Sequence, residues 1–364
     1  MKFVQRAIYG LRYFSWVLFA VILLVALCEG ISSLILIGRA IDWRGADLVR
    51  ERIHTKHDSL LGWVNIPSLE LPNAYGPGVR IRINGQGFRS DYDFESQVPE
   101  GKRRIICLGD SFTFGFGVSN GEAWCDRLRE YDPRIETVNM GQGGYGVDQS
   151  YLWYKRDGLK LEHHVLVFAF ITDDFDRMRY ADFVGYAKPK LVLRGDTLDI
   201  EEAPTNPATF RIPWLTENMP HVMELRTVHL LARFRGARQN GPTHLRERLR
   251  TERDKLREIR ELTVAILEEL HHITKSNGRE LVTLHLPMLE DYSQPISADW
   301  ENYLEQELSV RGIPYLDLIT EFKELNPNSI ESYFTEGPYP HFSVKGNLWV
   351  AERLWSALKE HLPR

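Results

Sequence analysis

The sequence predicts an α/β fold, with a mainly parallel sheet covered by helices on both faces, behind a membrane-spanning N-terminal helix. Three observations predict it. Apolar runs alternate with helix-prone segments from residue 104 onward, and parallel strands need crossover helices that cover the sheet. Each of the first three runs ends in a polar or glycine-rich cluster, at the strand ends where such sheets bind ligands. The chain from Leu11 to Gly38 is overwhelmingly apolar.

Residues 1–40 read as the anchor. Leu11 to Cys28 supplies the roughly 18 apolar residues that a bilayer crossing needs, with Glu29 at the far interface. The next apolar stretch, Ile31 to Ile37, either lies along the membrane or extends a tilted helix. Lys2, Arg6 and Arg12 flank one side, and Arg39, Arg44, Arg50 and Arg52 the other. The charge bias that sets orientation is therefore nearly balanced. A cleavable signal peptide is the competing reading. Against it, the apolar core is long, no small-x-small site follows, and Leu27 is too large for a lipoprotein site at Cys28.

Residues 41–100 form a lead-in segment and hairpin. Pro67, Pro72 and Pro77 make 39–78 extended and irregular, and 79–84 (VRIRIN) alternate like a half-exposed strand. The α/β domain, 101–364, opens with a buried strand at 104–108 (RIICL) that runs into Gly109-Asp110-Ser111. A helix is expected over 121–131, and a second strand over 135–139 that ends in 141–146 (GQGGYG). A helix over 147–158 and a third strand over 164–171 (HVLVFAFI) follow, then Asp173, Asp174 and Asp176. Pro189, Pro204, Pro207, Pro213 and Pro220 mark an insertion at about 177–243, holding a hairpin at 190–200 and a helix near 221–235. A long amphipathic helix spans 244–276, with Leu249, Leu256, Ile259, Ile266 and Leu270 on one face. Its mixed charges read as a solvated outer face. Strands at 280–286 and 313–317 and a helix at 345–361 complete the domain.

Composition is globular, at 43% hydrophobic and 26% charged, with a net charge of −5. No block of like charge stands out, so no nucleic-acid partner is expected. Cys28, Cys107 and Cys125 are too few for a disulfide framework. Cys107 in a strand and Cys125 in a helix read as small core residues.

The chemistry concentrates in residues 105–118 (IICLGDSFTFGFGV). A serine between a strand and a helix exposes its hydroxyl on the turn, and helix N-terminal amides favour the negative charge of acyl transfer. Gly109-Asp110-Ser111 resembles the first block of the SGNH/GDSL hydrolases. Residues 139–144 (NMGQGG) resemble their Asn-x-Gly-x-x-Gly second block, and 341–346 (HFSVKG) their His-x-x-x-x-Gly last block. Order and spacing agree across the three. Upstream, Leu61-Gly62-Trp63, Asn84 and Gly87-Phe88-Arg89 are similar to a membrane-anchored bacterial subgroup. These residues are expected to pack a hairpin against the catalytic domain, with an anion at Arg89 as the alternative.

The resemblance implies a flavodoxin-like three-layer α/β/α sandwich, the SGNH hydrolase fold. It implies Ser111 as nucleophile, His341 as general base and then acid, and the Ser111 and Gly144 amides as oxyanion hole. It calls for no metal and no organic cofactor. Two positions depart from the pattern. The family's oxyanion-hole asparagine falls at Asp173, in 170–174 (FITDD). An ionised aspartate only accepts hydrogen bonds and repels an oxyanion unless burial keeps it protonated, so Thr172 is the alternative donor. The family's acid lies two or three residues before the histidine, where this chain has Tyr339 and Pro338. Either Glu336, the nearest upstream carboxylate, orients His341, or a backbone carbonyl does. Each residue also has a plainer role: Ser111 as a cap, Gly144 as a turn residue, Glu336 as a solvated side chain.

The expected function is a membrane-anchored serine esterase or acyltransferase acting on an acylated small molecule or glycan, such as a glycan O-acetyl group. The expected place is a bacterial inner membrane, crossed once, with the domain periplasmic or extracellular. The alternative is a catalytically impaired SGNH-like domain that binds glycan or assists a membrane partner. A thioesterase with a lipid substrate stands third.

Overall fold

The computed structural model describes residues 2–44, 54–183, 186–202, 227, 245–337 and 339–359. The chain divides into two compact units, Met1–Leu48 with Asn206–Thr243, and Val49–Thr205 with His244–Arg364.

In the first unit, α1 (Lys2–Arg44) is one continuous helix, so Ile31 to Ile37 extends the apolar helix. Within it, the 24 residues Arg12–Ile35 contain an 18-residue window of mean hydropathy 2.5, long enough for a bilayer. This makes it a candidate membrane span or signal sequence. Its Trp16, Phe19, Leu24 and Leu34 side chains are exposed. Glu29 accepts hydrogen bonds from the Thr227 amide and hydroxyl, both at 3.0 Å. Of the helix expected near 221–235, all but residue 227 lies outside the described residues.

The second unit begins with two hairpins, β1 (Thr55–Asp58) with β2 (Gly62–Asn65) and β3 (Glu70–Leu71) with β4 (Ile81–Arg82). Of the alternating stretch 79–84, only Ile81 and Arg82 form a strand; Ile83 makes a single bridge to Arg89. The α/β succession follows: β5 (Arg103–Gly109), α2 (Ser111–Phe114), α3 (Trp124–Arg127), β6 (Ile135–Gly141), α4 (Val147–Arg156), β7 (Val165–Phe170) and α5 (Thr172–Arg177). Two further hairpins come next, β8 (Asp182–Phe183) with β9 (Tyr186–Ala187) and β10 (Lys190–Arg194) with β11 (Thr197–Glu202). The described chain resumes with α6 (Leu245–Ser276), β12 (Glu280–His285), α7 (Ala298–Arg311), β13 (Tyr315–Asp317), α8 (Ile319–Lys323) and α9 (Val344–Leu358). The helix expected over 121–131 is shorter than its pattern, a single α turn followed by a 3-10 turn at Leu128–Glu130.

Five strands pair in parallel in the order β13-β12-β7-β5-β6. Counted along the chain, that order is 2-1-3-4-5, the flavodoxin-like doubly wound arrangement. Alternate residues of the central strands feed two cores. Ile106, Leu108, Leu166 and Phe168 join the side packed by α4, α6 and α7. Ile105, Cys107, Val165 and Val167 join the side packed by α3, α8 and α9. The result is a three-layer α/β/α sandwich, and burial on both faces explains why these strands read as unbroken apolar runs. The strand order reverses at β5, which opens a crevice beyond the carboxyl ends of β5 and β7.

One expectation fails here. Cys107 and Cys125 form a disulfide, with Cα atoms 6.0 Å apart. Packing α3 on β5 brings together two cysteines that a count of three does not suggest pairing. Only Cys28 is free among the described cysteines.

Candidate active site

Ser111 sits where β5 ends and α2 begins. Asp110 caps the helix, its Oδ1 accepting from the Phe112 amide at 2.8 Å. Asn139, at the carboxyl end of β6, braces the turn: its amide donates to the Thr113 carbonyl at 2.9 Å, and its carbonyl accepts from the Gly141 amide at 2.9 Å.

His341 arrives from the far end of the chain, 230 residues on, and its Nε2 stands 2.8 Å from Ser111 Oγ. Its Nδ1 lies 2.9 Å from the Tyr339 carbonyl. A carbonyl oxygen can only accept, so Nδ1 carries the ring proton and Nε2 is left bare to accept the serine's. Asp110 Oδ2, at 3.3 Å, is a second and more distant acceptor for the same hydroxyl. Phe112 and Phe116 pack against the imidazole with centroids 4.7 and 4.5 Å away. The loop is pinned as a narrow antiparallel turn: Thr335 N donates to His341 O at 2.7 Å, and His341 N to Thr335 Oγ1 at 3.1 Å. Gly346 lets α9 close against it, since a Cβ there would stand 2.1 Å from the Tyr333 carbonyl. Ser111 is 4% and His341 9% exposed, so the pair is largely withdrawn from water.

Glu336 is not brought to His341. It is exposed on the loop, and the main-chain carbonyl of Tyr339 occupies the Nδ1 position instead.

The opposite wall starts at Gly144. Its φ of +75° is strained for any residue with a Cβ, and a Cβ would also stand 2.4 Å from the Phe183 ring. The Phe183 ring is stacked near Trp63, with centroids 6.2 Å apart, and Trp63 Nε1 donates to the Gly143 carbonyl at 2.9 Å. Gln149 Nε2 donates to the Leu61 carbonyl at 2.8 Å. The upstream hairpin thus buttresses the glycine turn. Buried Lys188, just beyond β9, pairs at 2.7 Å with equally buried Asp148 on α4.

Thr172 does not face this wall. Its hydroxyl donates to Ser297 Oγ, and His285 Nε2 lies 3.0 Å away. The His285 Nδ1 in turn is 2.9 Å from the Tyr315 hydroxyl. These bonds occupy the hydroxyl that was expected as an oxyanion donor. Burial lowers the His285 pKa to about 4, with Asp317 opposing, so the ring is neutral and structural at pH 7.

Asp173, the second residue of α5, is exposed at the rim. Desolvation raises its pKa; Arg177 opposes this, and Asp176, Asp110 and Glu290 add to it. Arg89 does not present itself to an anion: it is 1% exposed and donates to the carbonyls of Phe114, Gly115 and Val118 and to Asn120 Oδ1.

Sequence reasoning missed Arg177. Its Nη1 donates to Asp110 Oδ2 at 3.1 Å, to Asp174 Oδ1, and to the Tyr145 carbonyl at 2.9 Å. Burial would lower its pKa, but Asp174, Asp110 and Asp173 outweigh that and hold it charged. The one sequence signal was its position three residues after Asp174 on a helix.

No family model and no curated protein matches this chain. Solved structures with some likeness include a member of the lipolytic protein G-D-S-L family from Veillonella parvula DSM 2008. It is 11% identical with a TM-score of 0.41, covering 71% of this chain and 98% of that one. A lipase/acylhydrolase from Enterococcus faecalis is 11% identical with a TM-score of 0.39, over 72% and 97%. An acetyl xylan esterase is 14% identical with a TM-score of 0.40, over 70% and 99%. These likenesses assign neither activity nor substrate to this chain.

Proposed function

We propose that this chain is a serine esterase or acyltransferase of the SGNH/GDSL type, held at a membrane by α1. The observation that carries the reading is the line Ser111 Oγ, His341 Nε2, His341 Nδ1, Tyr339 carbonyl, closed at 2.8 and 2.9 Å beyond the end of β5. A hydroxyl that faces an imidazole in the correct tautomer is an activated nucleophile.

Ser111 Oγ attacks the ester carbonyl while its proton passes to His341 Nε2. The imidazolium is steadied by the Tyr339 carbonyl and by the faces of Phe112 and Phe116. The Ser111 and Gly144 amides receive the oxyanion, each such donor contributing about 2.7–4 kcal/mol. Collapse expels the alcohol, which takes the proton from Nε2 and leaves an acyl-serine. Water then completes hydrolysis, or an acceptor hydroxyl completes transfer, with Nε2 again as base.

The substrate is an acylated small molecule or glycan. The buried disulfide supports an oxidising compartment, consistent with a domain on the outer side of a bacterial inner membrane. A binding-only domain is the second reading, favoured by Asp173 at the oxyanion rim.

A fluorophosphonate probe separates the two readings. The folded protein is expected to take up one adduct, located to Ser111, and to hydrolyse 4-nitrophenyl acetate, while Ser111→Ala does neither. A folded, unlabelled native protein would leave the binding reading in place.

A further inference from the structure

Three carboxyl groups crowd the oxyanion wall, where an ionised carboxylate opposes the charge that acyl transfer develops. Asp110, Asp173 and Asp174 gather beyond the ends of β5 and β7, and Arg177 is the one cation paired with this group among the described residues. Its three acceptors lie in three places: Asp110 beside Ser111, Tyr145 beside Gly144, and Asp174 on its own helix beside Asp173. The side chains are 14% exposed for Arg177, 1% for Asp110 and 3% for Asp174, so water screens these three poorly, whereas Asp173 is exposed. The Phe183 ring covers the guanidinium, 5.2 Å from its carbon to the ring centroid, and also lies against Gly144. An arginine serving only to pair with Asp174 on its own helix would need neither of the other turns.

Building on the acyl-transfer reading, we propose that Arg177 is a positioning residue: its charge offsets the carboxylates of Asp110 and Asp173, letting an oxyanion form beside an aspartate, and its Nη1 clamps the nucleophile and glycine turns together. An unopposed carboxylate about 6 Å from a developing oxyanion costs about 100-fold in rate at an effective dielectric constant of about 20. The charges facing Asp173 from α5 are Arg177 and Asp176; from the β5 turn it is Asp110, and from the turn after β12 it is Glu290. Removing Arg177 leaves this face with carboxylates alone.

The test is a pair of substitutions in the full chain, solubilised in detergent, with 4-nitrophenyl acetate as substrate. Arg177→Met is expected to lower kcat about 100-fold while KM moves less than about threefold, because the lost interaction acts on the transition state. Asp173→Asn introduces the same amide donor in either background, so the diagnostic is the ratio of its effects. It is expected to raise kcat about tenfold more in Arg177→Met than in the native protein. A ratio within about threefold of unity, in a folded variant that still labels with fluorophosphonate, overturns the charge role. Should Arg177→Met not fold, Arg177→Lys keeps the charge without the branched contacts. There Asp173→Asn is expected to act as in the native protein, and a gain about tenfold larger overturns the proposal. A native protein that neither labels nor hydrolyses overturns the acyl-transfer reading instead.

Discussion

The two walls of the site are held by different forces. On the base side neutral groups hold the His341 ring: a main-chain carbonyl on Nδ1, a hydroxyl on Nε2, and two phenyl rings. On the oxyanion side the contacts are ionic, with carboxylates around one guanidinium. Orienting an imidazole needs an acceptor in the right direction, and a carbonyl serves as well as a carboxylate for fixing the tautomer. Stabilising an oxyanion needs a field of the right sign, which direction alone does not supply. The same chain can therefore do without an acid before His341 more easily than it can carry an aspartate at 173.

The sharpest way to break this comparison is to remove the base. His341→Ala is expected to lower kcat for 4-nitrophenyl acetate by about 10⁴-fold or more, with the fold intact by circular dichroism. A loss under about tenfold would mean that Asp110, the other acceptor for the Ser111 proton, serves as base, and the neutral wall would lose its meaning.

Gly144→Ala tests the other wall. The left-handed backbone and the Phe183 ring both oppose a Cβ, so the amide must shift. A kcat loss of about 10²–10³-fold is expected, with about 1–2 kcal/mol less stability in urea unfolding. A stability loss without a change in kcat would remove Gly144 from the oxyanion hole.

Acid sharpens the contrast by a different route, because the start of α5, the helix that carries Asp173 and Arg177, is held through neutral His285 beside Thr172. Its folded pKa of about 4 lies below the usual value near 6.5. As pH falls from about 6.5 to about 4 the unfolded chain binds the proton first, and stability is lost over that window, by up to about 3 kcal/mol. His163, lowered by burial to about 3, acts with the same sign and continues to lower pH. Urea midpoints at pH 7, 5.5 and 4.5 measure the slope. A flat profile would show that both histidines charge without leaving their contacts.

Much of this was legible in the sequence because it is local. The strands β5 and β7 announce themselves as apolar runs, since both of their faces are buried. The serine and glycine turns announce themselves through residues that few other structures require. What stayed hidden depends on side-chain direction or on distant packing. Thr172 sits beside Asp173 in sequence, but its hydroxyl turns toward His285, 113 residues away. Arg177 meets Asp110 across 67 residues, and no local pattern encodes that. Cys107 and Cys125 pair only because α3 folds back onto β5. The lead-in strands β3 and β4 hold two residues each, too few for periodicity to register.

The smallest expected effect makes the most discriminating test of the neutral wall. Glu336 is the nearest carboxylate before His341 in the chain, and it is exposed while the Tyr339 carbonyl already takes the Nδ1 proton. Glu336→Gln removes the charge and keeps the shape. If the carbonyl alone fixes the tautomer, kcat should change less than about twofold, since an exposed charge couples weakly to a buried ring. A triad acid changed to its amide costs about 10⁴-fold when the wrong tautomer results. A loss beyond about tenfold would therefore mean that the 334–342 loop rearranges in the working enzyme and delivers Glu336 to Nδ1. Both walls would then depend on charge, and the tolerance of this site for a missing acid would need another cause.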